Sequence, residues 1–589
     1  MGARRRPRPP PTRTALALTA LPDALAELIV IGYHDYRHRF AEVTRRAWRR
    51  FENREWEDAQ EDARERILLY DVVVAETLLA ARRRLGRPAP SRDAAVAARG
   101  AFRAWSRERP DCEIAQTFFN SVLRRLLGTV GADREVEFVA SAVDEPDPSP
   151  ARPWRSWPLE AGFAPALEAT LTALPFEKPW HERTARCRAA ARILAGELGP
   201  EAVWREGSLE MLRTPFFRNK AAYLVGRAVR RAETRPVILA LTHPPEGITL
   251  DAVLPTEDEA SVVFGFTRSY LHADLGAPRP AIEFLRGIMP RKRTDELYTV
   301  LGFNRHGKTE LYRTLLEHLA LPGARFERTP GTEGLVMAVF TLPELNVVFK
   351  VIRDRFGHPK KTTRERVKRN YGLIFVRDRV GRLADAQAFE HMELPRDRFS
   401  DDVLAELLDT AARTVSADHD TVVIEHLYTE RRVHPLDLYL AEAGPDDARH
   451  AVLDFGQAIK DLAAADIFPG DMLVKNFGVT RHGRVIFYDY DEVVLLTDCR
   501  FRDKPRPAYP EAELAAEPDY YVAPEDVFPA EWRPFLGPSG PLREIFQEAH
   551  GELFDPAWWR DMQRRQRAGE VVDFFPYEKE RRLDPSTRP

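Results

Sequence analysis

At 589 residues the chain is too long for one core, and two domains are the economical reading. Its 88 basic and 91 acidic residues leave a net charge of −3, which argues against a dedicated nucleic-acid binder, whose footprint is a net basic domain. No apolar run approaches the length of a bilayer span, and the basic, proline-rich residues 1–11 lack the apolar stretch of a signal peptide, so a cytoplasmic protein without a membrane partner is expected. Cys112, Cys187 and Cys499 lie far apart, without metal-ligand or redox spacing, and read as isolated reduced thiols.

Residues 1–14 read as a disordered basic tail and residues 15–322 as a mainly helical region. Leu25, Leu28, Ile29, Gly32, Tyr36, Phe40, Val43, Ala47 and Phe51 recur at the helical period and predict one long amphipathic helix. A second helix covers roughly 63–85 and stops at Gly86-Arg87-Pro88. The proline-rich stretch 144–158 reads as a long loop, and a helix near 180–198 ends at Gly199-Pro200. Two short strands, 237–241 and 261–266, suggest a small β element.

Gly302 to Thr309 satisfies the phosphate-binding pattern G-x-x-x-x-G-K-[ST]. That motif needs an apolar strand directly before its first glycine. Here Leu297, Val300 and Leu301 fall at helical spacing, predicting a helix capped at Thr294 that Gly302 terminates, then a second helix from Thr309 to Leu319. The segment reads as helix–turn–helix. A P-loop ATPase using Lys308 and Thr309 is the alternative, with Val493–Asp498 as its Mg²⁺-binding strand.

From residue 323 to 589 the pattern turns to strands and turns. A Gly-rich turn over Gly331–Gly334 leads into a hairpin, 336–341 and 346–350, around Pro343 and ending on Lys350. Thr421–Tyr428 reads as the strand and hinge separating two lobes, with Glu425 to Tyr428, Leu427 included, as backbone contacts to adenine. An apolar-periodic helix over 451–465 runs into Asp471-Met-Leu-Val-Lys475-Asn476. A hairpin turn over 479–485, holding His482, then leads to Asp489-Tyr-Asp491.

Singly these residues are weak signals. Jointly they stand in the order of a protein-kinase active site, with Asn476 five residues after Asp471 and Asp489 thirteen further on. Phosphoryl transfer depends on positioning and charge neutralisation, and the residue types suit both. Lys350 holds the α- and β-phosphates, Asn476 and Asp489 offer hard oxygens to Mg²⁺, Asp471 orients the acceptor hydroxyl and takes its proton, and Lys475 reaches the transferring phosphate. Two departures are plain: Pro469-Gly470 replaces His-Arg before the catalytic Asp, and Asp491 replaces the glycine of Asp-Phe-Gly. A catalytically dead scaffold is disfavoured because the set is complete. The fold class is therefore α+β, a bilobal protein-kinase-like domain preceded by a mainly α-helical regulatory domain.

The chain resembles the bifunctional isocitrate dehydrogenase kinase/phosphatase family. The resemblance rests on Gly331–Lys350, Phe389-Glu-His-Met392, the block Asp471–Glu492 and Asp526-Val-Phe-Pro529, and extends to Phe51 and Leu68-Leu-Tyr-Asp71. It implies a protein substrate, NADP-dependent isocitrate dehydrogenase, phosphorylated by ATP on an active-site serine and dephosphorylated by the same protein with adenine nucleotide (ATP or ADP) still required, which sets flux between the citric acid cycle and the glyoxylate bypass. It places the nucleotide on Thr329, Pro330, Gly331, Thr332, Glu333, Gly334, Leu335 and Lys350, and the acid associated with phosphate removal on Asp385. It also implies AMP as an allosteric effector between the halves, and it leaves room for a homodimer.

Overall fold

The computed structural model describes residues 21–86, 90–139, 152–265, 271–331, 333–358, 360, 362–377, 379–504, 521–577 and 581–583. The expected basic tail, residues 144–151 of the expected loop and Thr332 lie outside them.

The N-terminal stripe forms α1 (Leu21–Asn53), which packs with α2 (Trp56–Leu85), α3 (Arg92–Ser106) and α4 (Cys112–Leu127). Tyr36, Phe40, Tyr70 and Phe118 meet in their shared core. Ser91 caps α3 by accepting from the Ala94 amide, the usual device for an unsatisfied first-turn donor. Helices α5 (Phe163–Thr172), α6 (Arg183–Leu198) and α7 (Glu201–Trp204) then flank a six-stranded antiparallel sheet of β1 (Trp154–Pro158), β2 (Ser208–Leu212), β3 (Phe216–Arg218), β4 (Ala221–Arg230), β5 (Glu233–Thr242) and β6 (Thr249–Leu254). This sheet is larger than the small β element expected. Trp154–Pro158, read as loop, is its edge strand, because the indoles of Trp154 and Trp157 gain cover there that prolines alone do not signal. The expected strand at 261–266 is also corrected: Ser261–Val263 closes α8 (Glu257–Val263), whose start is fixed by a reciprocal Thr256–Glu259 capping box.

Helices α9 (Arg279–Ile288), α10 (Thr294–Val300) and α11 (Asn304–Leu319) complete this half. The turn between α10 and α11 is set by Gly302 at φ +95°, a left-handed conformation glycine adopts without strain. Gly307, Lys308 and Thr309 lie inside α11 rather than ahead of it. The P-loop reading therefore fails: no strand precedes Gly302, and the backbone amides of a helix interior are already bonded. The Lys308 ammonium sits over the Phe389 ring, and burial, helped by Arg305, lowers its pKa to about 7.

The second half has two lobes. The smaller is a six-stranded sheet in the order β10-β12-β9-β8-β7, with β11 on β12, built from β7 (Glu327–Arg328), β8 (Met337–Leu342), β9 (Val347–Ile352), β10 (Ala386–Pro395), β11 (Val415–Ala417) and β12 (Thr421–Arg431). One face carries α12 (Arg364–Arg377). The other is covered by α13 (Asp401–Thr410) and by α11, whose Leu311, Leu315 and Leu319 share a core with Phe340, Phe349 and Leu427. The larger lobe holds α14 (Leu436–Glu442), α15 (Pro445–Ala464), α16 (Pro541–Ala549) and α17 (Pro556–Arg567), with β13 (His434–Pro435), β14 (Ile467–Phe468), β15 (Phe477–Val479) and β16 (Val485–Phe487). Arg382, buried against the larger lobe, grips Asp454 of α15 with two bonds of 2.7 Å and Asp461 with a third, and donates to the Val485 carbonyl. Among the described residues no helix is long and apolar enough to cross a membrane, and all three cysteines are free and buried.

Lys308→Met retains phosphoryl transfer, because its ammonium faces an aromatic ring and not the lobe cleft. Its stability signature follows from the depressed pKa. The unfolded chain holds the Lys308 proton up to about pH 10 and the folded chain only to about 7, so the parent gains stability as pH rises through that window. Thermal melts show Lys308→Met more stable than the parent at pH 6, with the gap narrowing toward pH 9; a gap independent of pH contradicts the assignment.

Candidate active site

Lys350 stands near the end of β9, directly opposite Tyr428 of β12, and 7 % of its surface is exposed. Its ammonium lies 2.8 Å from the Glu430 carboxylate and donates to the Tyr488 carbonyl at 2.7 Å. In ordinary protein kinases the acid paired to this lysine comes from the helix beside the sheet. Here it comes from the sheet itself. The helix in the corresponding place, α12, offers Tyr371, whose hydroxyl donates to Glu430 at 3.3 Å and whose ring stacks on Tyr428 at 3.7 Å. Burial pushes the Glu430 carboxyl up, opposed by Lys350 and by the Tyr371 bond.

The Tyr488 carbonyl places Lys350 one residue from Asp489. The turn before it, Val474–Asn476, brings Asn476 alongside: the Tyr488 amide donates to the Asn476 carbonyl at 3.1 Å, and the Asn476 side chain donates to the Asp471 carbonyl at 3.3 Å. Asp471 caps its own turn by accepting from the Leu473 amide. Gly470 makes the turn possible, since its φ is +78° and a Cβ would sit 2.5 Å from the Glu492 carbonyl. The position that holds an arginine in ordinary kinases is thus filled by backbone packed on backbone. Lys475 is exposed, and its carbonyl accepts from the Tyr488 hydroxyl.

Three carboxylates and one further cation complete the cleft. Burial raises the pKa of Asp489, opposed by Lys350 and Lys360; that of Asp491 is pushed well up by burial and then by Asp489. One buried Asp491 oxygen has no hydrogen-bond partner. Lys360, between β9 and α12, lies 2.7 Å from Glu492 and 3.8 Å from Asp471. Asn370 of α12 holds this segment by donating to the Tyr490 and Asp491 carbonyls. Among the described residues no group of three or more His, Cys, Asp or Glu could cage a metal. The Asp489 carboxylate, the Asn476 amide oxygen and the unpartnered oxygen of buried Asp491 instead suit a hard cation that keeps most of its waters, as Mg²⁺ does.

Thr329, Pro330, Gly331, Glu333, Gly334 and Leu335 form the turn between β7 and β8, beside β9 in the sheet order. Arg353, just past β9, clips this turn down: it donates to the Gly334 carbonyl at 3.1 Å and pairs with Glu333 at 2.8 Å. Glu425 and Leu427 are elsewhere than expected. They lie inside β12, paired to β10 from Thr421 to Glu430, and the Leu427 side chain is in the core. The strand runs further than its apolar residues reveal, and the chain crosses between lobes through Arg432–Pro435. Asp385 is also apart from the cluster. It accepts from Gln387 at 3.0 Å, and Gln387, Thr429 and Arg431 point to the sheet face opposite Lys350 and Glu430. There Asp385 lines a seam cavity with Arg293, Asp295 and Glu296 of the helical half. Sequence reasoning missed Glu430, Tyr371, Lys360 and Arg353; Glu430, an acid closing an apolar strand, is the one that left a signal.

A two-lobed sheet-and-helix fold with Lys350, Asp471, Asn476 and Asp489 converging in its cleft defines a protein-kinase-like phosphotransferase that uses ATP. Residues 324–579 match the family model described as the isocitrate dehydrogenase kinase/phosphatase (AceK) kinase domain, and residues 26–323 the one described as its regulatory domain. Proteins called isocitrate dehydrogenase kinase/phosphatase from Anaeromyxobacter dehalogenans (strain 2CP-C), Anaeromyxobacter sp. (strain Fw109-5) and Xanthomonas euvesicatoria pv. vesicatoria (strain 85-10) are 49%, 46% and 43% identical to it, covering 96%, 95% and 95% of this chain and 98%, 97% and 97% of theirs. The chain belongs to the isocitrate dehydrogenase kinase/phosphatase family.

Glu430→Gln leaves the Lys350 ammonium buried beside a neutral amide. Single-turnover phosphoryl transfer falls about 10²-fold, the size expected when a positioning contact is lost, and the protein is destabilised by about 3 kcal/mol or more. The double variant Lys350→Met/Glu430→Leu regains the melting temperature but not the activity. Full activity in Glu430→Gln contradicts the role given to the pair.

Proposed function

We propose that this chain transfers the γ-phosphoryl group of ATP to a serine of NADP-dependent isocitrate dehydrogenase and removes it again at the same cleft. The observation that carries this is the convergence of Lys350, Asp471, Asn476 and Asp489 in a member of that family. Lys350, held by Glu430, binds the α- and β-phosphates. The turn Thr329–Leu335, with Arg353 fixing Gly334, covers them, and the adenine edge meets backbone near Arg431–Val433. Asp489 and Asn476 would hold Mg²⁺, which supplies charge neutralisation across the phosphates when bound. Asp471 accepts the proton of the serine hydroxyl as its oxygen forms the new bond to phosphorus and the bond to ADP breaks. Lys475 neutralises charge on the group in flight. In the reverse task the same cations face the phosphoserine: its O–P bond breaks as an oxygen of water or of ADP bonds to phosphorus, and the serine oxygen regains a proton from Asp471.

Regulation runs through the seam. AMP is the effector assigned to it, and the seam cavity beside Arg293 and Asp385 measures about 30 Å³, too small for a nucleotide, so AMP enters only if the halves part. Thr429 and Arg431, whose side chains face that cavity, flank Glu430, which holds Lys350 from the other face of β12. A change at the seam therefore reaches the phosphate-binding lysine through the backbone of one strand. Asp385 acts here as a positioning residue.

Purified isocitrate dehydrogenase, Mg²⁺ and labelled ATP test the whole reading: label goes onto the substrate serine and comes off when the ATP is diluted. Absence of both, with the protein folded, would leave a scaffold. Asp385→Ala lowers dephosphorylation about tenfold more than phosphorylation, a typical size for coupling between sites, and shifts the AMP concentration needed to change the ratio. An equal fall in both rates with an unchanged AMP response removes Asp385 from regulation.

A further inference from the structure

We propose that the helical half carries a second ligand site, separate from the seam, for a small organic anion with a planar apolar body. A cavity of about 440 Å³ lies between α1, the end of α5 and one face of the first sheet, within the size range of small-molecule sites. Its floor is apolar. Trp157 and Met211 stand on the same face of the sheet as Leu224, two residues from the Gly226 partner of Met211, and Trp48 and Phe217 close the side.

The polar groups at the cavity divide sharply. The hydroxyls of Thr44 and Thr170 already donate to carbonyls of their own helices, at 2.7 and 2.8 Å. Arg45 pairs with Asp274 at 3.4 Å. Arg155 and Arg213 do not pair with a carboxylate among the described residues, although Arg213 donates through Nε to the Arg152 carbonyl at 3.3 Å; both sit at the mouth and share the face of Met211, Arg155 directly opposite it and Arg213 two residues beyond. Two uncompensated guanidiniums above a floor of indole, thioether and aliphatic groups recognise an anionic head on an apolar body. The same floor offers nothing to read the polar edges of a purine, which separates this site from one for AMP.

The cavity also has a route to the kinase lobes. Phe217 lines it and lines the smaller space in which Val376 and Arg379, at the end of α12, meet the helical half. Two residues on, Asn219 donates to the Arg379 carbonyl at 3.1 Å. Helix α12 in turn holds the Asp491 carbonyl through Asn370. An occupant bearing on Phe217 therefore bears on α12, and through it on the cleft.

Calorimetric titration of the full chain with 2-naphthoate, and with its neutral counterpart 2-naphthamide, tests the site without reference to catalysis. One 2-naphthoate binds per chain, about tenfold tighter than the amide. Arg155→Gln/Arg213→Gln removes that preference while the amide binds as before, and Trp157→Ala weakens both. AMP does not displace 2-naphthoate. No saturable binding at millimolar concentration, a preference that survives the double variant, or displacement by AMP would each overturn the proposal. The route, which rests on the function proposed above, is read separately. Saturating 2-naphthoate changes the ratio of phosphorylation to dephosphorylation in the parent and not in Asn219→Ala, which still binds it. The same change in both proteins overturns the route and leaves the site.

Discussion

The buried pair between Lys350 and Glu430 is the interaction on which the cleft depends. Both groups are almost wholly removed from water, and a buried ion pair holds only if its remaining hydrogen-bond positions are satisfied. Tyr371 and the Tyr488 carbonyl supply those bonds. In doing so they tie β9, β12, α12 and the segment carrying Asp489 to one point. Because the acid comes from a neighbouring strand, a swing of α12 withdraws the Tyr371 bond but leaves the acid beside the lysine. The helix movement that gates ordinary kinases by carrying the acid away has no counterpart here, and the backbone packing of Gly470 on Glu492 removes the arginine through which activation-loop phosphate would act.

Control must then come from another direction, and the architecture supplies one. The sheet face opposite Lys350 is covered by a helix of the regulatory half: α11 shares a core with β8, β9 and β12. Arg431 pairs with Glu296 at 2.8 Å, Arg293 donates to the Leu345 carbonyl, and Arg481 donates to the Arg291 carbonyl. The C-terminal end returns to the first sheet, where Arg582 grips Asp251 with bonds of 2.8 to 3.1 Å. The two halves are thus joined at the small lobe, at the large lobe and at the chain end, and any ligand that alters one joint loads the others.

The sequence made the cleft residues legible because their spacing is local. Asp471, Asn476 and Asp489 belong to a single turn-and-hairpin unit, and Lys350 closes a hairpin. The helix starting near Thr294 was readable for the same reason, as was the failure of Gly302–Thr309 to follow a strand. What escaped depends on contacts between distant segments. Glu430 is an acid at a strand end until the register sets it beside Lys350. The apolar run ends at Tyr428, but Thr429–Arg431, polar in sequence, remains paired in the sheet, so the crossing between lobes lies beyond it. Strand β1 was hidden by prolines, and Ser261–Val263 by its β-branched residues, which the Thr256 cap overrode. Asp385 has no local signature, and only the fold shows that it faces the helical half.

One cleft serving two opposed reactions is the central claim, and Asp489 is the group both must use. Single-turnover rates of Asp489→Ala, measured with unmodified and with phosphorylated isocitrate dehydrogenase, test it most directly. The account predicts that both rates vanish together while the substrate protein still binds. Loss of one with the other intact would show two separate sites and contradict it.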